Sequence, residues 1–140
     1  MSAVLWANLL VDGKVQSDEE DRRSLFDFTD KLDDLCKSLG VPSFADRCDS
    51  TDARFNLDEF ELPDGMESSN EYMAIHGTWI DLPDAIRMLE TLLRHVQEKS
   101  VRFGLLKNQH ADVVSDLTEV LAFAQAHTGS AAKFNFSIVT

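Results

Sequence analysis

NLLVDGKVQSDEEDRRSLFDF, residues 8–28, runs from an apolar segment through five acids in ten positions, Asp12 to Asp21, into a second apolar run. Whether those acids bind a cation, turn the chain or start a helix decides how the N-terminal third folds. A calcium loop of the EF-hand type needs oxygens at alternate positions, glycine at the sixth and glutamate at the twelfth. Counted from Asp12, the sixth residue is Ser17, and the pattern fails. Asp12-Gly13 is a tight-turn pair. Ser17-Asp18-Glu19-Glu20 has the form of a capping box, which predicts a helix opening at Ser17 with three acids in its first turn.

Upstream, residues 3–11 (AVLWANLLV) are apolar on both alternating faces apart from Asn8, which suits a central strand covered on both sides. Downstream, Leu25, Phe28, Leu32, Leu35, Cys36 and Leu39 recur at helical spacing until Gly40 and Pro42. Residues 43–68 have no sustained period and read as a long acidic loop, in which RFNLDEFEL (54–62) suggests a short strand and Pro63-Asp64-Gly65 a turn. Ser68 with Glu71 forms a second capping box, opening a short helix that Gly77 ends. Asp81 caps a helix with Pro83 in its first turn, lined by Ile86, Leu89, Leu92, Leu93 and Val96. Val101, Phe103 and Leu105 alternate as in a strand. Asn108 precedes a helix striped by Val113, Val114, Leu117, Val120, Leu121 and Ala124, broken by Gly129. In KFNFSIV (133–139), Phe134, Phe136 and Ile138 fall on one face and Asn135 and Ser137 on the other, as in a half-exposed closing strand.

These segments predict one globular domain over 1–140, of α+β class with α/β as the alternative: three to four helices on a small mixed sheet in two layers. At 44% hydrophobic and 27% charged, the chain is not of disordered composition. It has no run of 18 apolar residues and no basic leader before residues 3–11, and its two cysteines make no disulfide framework. A cytoplasmic protein is expected.

The net charge of −12 is uneven: residues 1–71 hold 18 acids against 7 bases, and residues 72–140 hold 7 against 6. Such a field repels nucleic acid and anionic lipid and steers a cationic partner toward the N-terminal half. Catalytic signals are few. The six glycines stand far apart, so neither a phosphate loop nor a nucleophile elbow can be assembled. No two of the four histidines are spaced as zinc ligands, and the aspartates at 46, 49 and 52 match no metal loop, so neither metal nor cofactor is expected. His76, His95 and His127 fall in last helical turns and His110 in a first turn. Cys36 lies on an apolar stripe, while Cys48 lies in the acidic segment, where nearby carboxylates make a poor nucleophile. Trp6 and Trp79 read as core residues.

The expected function is therefore protein binding. Asp46, Asp49, Asp52, Asp58, Glu59, Glu61 and Asp64, with Phe60 and Tyr72 as aromatic anchors, form the candidate surface for a basic partner protein. An immunity or antitoxin-like inhibitor of a cationic toxin is the concrete form. The alternatives are a small hydrolase using Cys48 with a histidine or loop carboxylates, and a regulatory subunit whose acidity serves solubility.

Overall fold

A computed structural model describes residues 3–127 and 131–140. β1 (Val4–Val11) turns at Asp12-Gly13 into β2 (Lys14–Ser17), with Asn8 opposite Ser17 and Val11 opposite Lys14. Both turn residues have positive φ, 51° and 77°, the type I′ geometry that matches the strand twist and suits Asp-Gly.

The hairpin overturns the capping box at Ser17. Once Ser17 is paired to β1, its hydroxyl accepts from the Glu19 amide at 3.1 Å and starts no helix. Asp18 shapes the acidic stretch instead. Its carboxylate accepts from the Ala7 amide (3.1 Å), the Glu20 amide (3.2 Å) and the Arg22 guanidinium (3.1 Å). The chain stays beside β1 as far as Arg22, whose amide donates to the Leu5 carbonyl at 2.9 Å. Only then do α1 (Arg23–Asp27) and α2 (Thr29–Leu39) form, divided at Phe28 and closed by Gly40.

The acidic segment is more ordered than its sequence pattern predicts. A 3-10 turn (Ala45–Arg47), β3 (Cys48–Asp49) and α3 (Thr51–Asn56) occupy most of its first half, and the one long irregular stretch is 57–68. The stretch 54–62 holds the end of α3, not a strand. α4 (Ser69–His76) begins at Ser68, whose hydroxyl accepts from the Glu71 amide at 3.4 Å, and the Glu71 carboxylate accepts from the Glu67 amide at 2.8 Å. β4 (Ile80–Asp81) leads into α5 (Leu82–Glu98), where Asp81 stands at the N-cap without a side-chain cap bond and Pro83 lies in the first turn. Residues 101–105 form no strand. Phe103 is buried while Leu105 projects, because two Asn108 bonds close the segment into a loop before α6 (His110–Gln125). His127 lies beyond α6, and the Gly129 break falls outside the described residues. β5 (Lys133–Val139) completes the sheet.

The result is a single α+β domain with six helices among the described residues. The sheet order is β2-β1-β5-β3, with β4 also on β5; all pairs are antiparallel except β3 with β5. β5 is thus interior, not a half-exposed closing strand. Leu5, Ala7, Leu9, Phe134 and Phe136 face one core with the buried stripes of α1, α2, α5 and α6. The opposite face carries Asn8, Asn135 and Ser137, all buried. The Asn8 amide donates to Asn135 Oδ1 (2.9 Å) and Ser137 Oγ (2.7 Å), and Met73 of α4 covers them, its Sδ 3.6 Å from Asn135 Nδ2 and 3.4 Å from Ser137 Oγ. α3 and α4 therefore form a small cover on this second face. Trp6 and Trp79 are half-buried outside the core, their indole N–H groups donating to Asp21 and to the Met73 carbonyl.

Candidate interaction surface

α3 and α4 are clamped together by short polar side chains. The Asp49 carboxylate accepts from the Thr51 amide at the start of α3 and from the Thr78 amide just past α4, both at 2.8 Å. Asp52 accepts from Ser69 Oγ at 2.8 Å, joining the two helices, and from Asn56 at 3.2 Å. A tight approach at Gly77 completes the clamp: a Cβ there would stand 2.5 Å from the Met73 carbonyl.

Four rings line the outer surface of this clamp. Phe55 and Phe60 have centroids 5.9 Å apart, Phe60 and Tyr72 5.0 Å, and Tyr72 and His76 4.6 Å. Such tilted contacts, at about 4.5–7 Å between centroids, are the arrangement that the ring quadrupoles favour. The Arg54 guanidinium sits 5.7 Å from the Phe60 centroid and 3.5 Å from the Glu59 carboxylate. Asp58, in the left-handed region at φ 57°, turns the chain so that Phe60 returns toward α3. Leu57, just past α3, and Ile75 on α4 add apolar surface, 54% and 66% exposed.

Of the nine residues singled out by the sequence, Phe60 and Tyr72 join this run, with Asp58 and Glu59 exposed beside it and Glu61 and Asp64 exposed in the following segment. Asp49 leaves the surface, because it is buried and caps backbone amides. Asp52 is half-buried and holds α3 to α4. Asp46 is exposed next to Arg47 at 3.9 Å, outside the ring run. Phe55 and His76 were not singled out. The i, i+4 spacing of Tyr72 and His76 on a helix was the available signal for one; Phe55 carried none while 54–62 read as a strand.

Acids from both sequence halves also meet at one place. A cavity of about 460 Å³ is lined by Asp21 and Asp27 from the N-terminal half and Asp112 and Asp116 from α6, with Arg23 and Ser24. Beside it Arg22, 93% buried, pairs with Glu119 (2.6 Å) and Asp18 (3.1 Å) and lies 4.0 Å from Asp116. Burial raises the Asp116 carboxyl above its ordinary range, opposed by the Ser24 hydroxyl at 2.6 Å and by Arg22.

Nucleophilic chemistry finds little help. Burial pushes the Cys48 thiol up to about 12, and the Asp33 carboxylate adds to it against Arg47. Cys36 is pushed up to about 11, again chiefly by burial. Asp33 is held below its usual range, first by the Ser43 hydroxyl and also by the Ala45 amide at 3.1 Å, with burial opposing. Among the described residues, no hydrogen bond joins a histidine to either cysteine; His110 Nδ1 meets the Val101 carbonyl at 2.7 Å and His76 stacks on Tyr72. No three His, Cys, Asp or Glu side chains among them converge as metal ligands, and no helix among them is long and apolar enough to cross a membrane. Compared with known proteins, the chain matches no family model, no curated protein and no solved structure.

Proposed function

We propose that the chain is a protein-binding domain acting in the cytoplasm, which docks a basic partner protein on the α3–α4 surface, in the manner of an immunity or antitoxin-like inhibitor. The observation that carries this reading is the run Phe55-Phe60-Tyr72-His76 bordered by Asp58 and Glu59. Half-exposed rings on a clamped scaffold supply burial on contact, and the carboxylates around them raise the encounter rate with a cationic surface. Arg54, lying between Phe60 and Glu59, is an intramolecular example of the contact a partner's arginine would make. A hydrolase based on Cys48 draws no support from a thiol held so far from ionisation.

The test is capture of proteins from the native host by wild type and by Phe60→Ala with Tyr72→Ala, washed at low salt and eluted at high salt. A basic protein retained by wild type and lost by the double variant is expected, since central aromatic anchors contribute about 2 kcal/mol or more each. Equal retention by a double variant that still melts cooperatively would refute the surface.

A further inference from the structure

Leu105 and Leu106 are the most exposed large apolar side chains described, at 97% and 102%. They occupy the tip of the α5–α6 connection, and that connection is braced. Phe103 is buried with its ring 5.4 Å from Phe28; its amide donates to Asn108 Oδ1 at 3.1 Å and its carbonyl accepts from the Gln109 amide at 2.6 Å. Arg102 donates to the Gly104 carbonyl at 2.9 Å and the Leu105 carbonyl at 3.1 Å, while Lys31 reaches the Arg102 carbonyl. Gly104 is at φ 99°, where a Cβ would stand 2.5 Å from the Lys107 carbonyl. The fold thus holds two leucines out in water, forgoing the roughly 1.5–3 kcal/mol that burying each would supply.

The local charge also departs from the rest of the chain. Between Glu90 and Asp112 stand four bases, Arg94, Lys99, Arg102 and Lys107, against the single acid Glu98. An apolar knob with a basic flank lies in the helical layer, and on the other side of the sheet lies a surface of rings, exposed Leu57 and Ile75, and carboxylates. The two are opposite in charge and alike in offering apolar area. We infer that the Leu105–Leu106 knob of one copy docks on the α3–α4 surface of a second copy. The inference rests on the reading of that surface as a binder of basic chemistry, and it names one such partner. The contact is heterologous, so copies add head to tail and do not close as a two-fold dimer. Two leucines bury little area, so association is weak and reversible. A net charge of −12 sets the field of the chain against an anionic bilayer and, at low salt, against a second copy as well, so the self-contact is measured at physiological ionic strength, where the Debye length is about 8 Å.

Sedimentation equilibrium of the purified chain tests this at loadings from about 10 µM to about 1 mM, the range of weak complexes. At the top loading the weight-average mass is expected to exceed the monomer by about 1.5-fold or more. Leu105→Ser with Leu106→Ser, at positions making no side-chain contact, keeps the monomer mass. So do Lys99→Glu with Lys107→Glu, and Asp58→Lys with Glu61→Lys; the chain carrying all four charge reversals associates again. A wild type monomeric throughout overturns the inference, as does association that survives the leucine changes or the reversals at Asp58 and Glu61. Wild type that instead pellets with phosphatidylserine vesicles through the leucines also overturns it, in favour of a membrane. A monomeric wild type that still captures a salt-eluted basic protein through Phe60 and Tyr72 removes the self-contact and leaves the proposed function standing; capture of none removes both.

Discussion

Replacing Asp18 by alanine tests whether the acidic stretch is a built corner or a helix start. The Asp18 carboxylate accepts from the amides of Ala7 and Glu20 and from Arg22. Ala7 is fully buried, so its amide would lose a partner that water cannot readily replace, at about 1–3 kcal/mol. Arg22, 7% exposed, would keep Glu119 and the more distant Asp116, so its loss is partial, about 1–1.5 kcal/mol for one charge-assisted bond. The exposed Glu20 bond adds little. The expected loss is about 3 kcal/mol. Ser17→Ala removes one exposed bond to the Glu19 amide and should cost about 0.5 kcal/mol. Urea denaturation separates the two: with a slope of about 2 kcal/mol per molar, Asp18→Ala lowers the midpoint by about 1.5 M and Ser17→Ala by about 0.3 M, at unchanged slope. A larger shift for Ser17→Ala would restore the helix start at Ser17 and refute the corner.

Three further outcomes are expected. Neutralising Asp58, Glu59 and Glu61 together should slow association with a basic partner more than neutralising the exposed trio Asp34, Glu98 and Asp112; equal slowing in stopped-flow traces would leave the acidity as a solubility device. Asp116 and Glu119 do not serve as such controls, because they hold Ser24 and Arg22. The Asp33 carboxyl ionises more readily folded than unfolded, so its contribution is present above its ordinary value of 3.8 and lost as pH falls through the lower folded value. Asp33→Asn should therefore reduce the drop in melting temperature between pH 6 and about pH 3, and an unchanged drop in a calorimeter would contradict that. With the thiol pushed up to about 12, Cys48 should react with a maleimide at pH 8 far more slowly than the same residue in urea, and Cys36 likewise; complete labelling of folded Cys48 within minutes would reopen the hydrolase reading.

The α+β class was legible because the longest segments obey one period each. Residues 4–11, the stripe from Ile86 to Val96, and α6 keep their patterns over their length. Misreadings arose where a short-range rule met a long-range partner. Ser17 satisfies the capping-box spacing, but pairing with Asn8 claims it for β2. Val101, Phe103 and Leu105 alternate, yet Asn108 folds the segment back before any strand can pair with it. Asn135 and Ser137 looked solvent-facing because polarity stands for exposure in a pattern, and nothing local to them announces Asn8 or Met73. At the candidate surface Phe60 and Tyr72 were readable as lone aromatics beside acids. Their joining through Phe55 and His76, and the withdrawal of Asp49 into the fold, depend on the packing of α3 on α4.

The row of Asn8, Asn135 and Ser137 has a consequence for how β1 finds β5. A slip of two residues would leave every side chain on its own face and would exchange Phe134 for Phe136 opposite Leu9, which the greasy side of the sheet would scarcely register. The polar side would register it at once. Displaced by two residues, Asn8 would face Ser137 or Lys133, could no longer bridge both Asn135 and Ser137, and would leave buried amide groups without partners. Three uncharged polar side chains thus act as an alignment key, distinguishing alternatives that the two phenylalanines treat as equivalent.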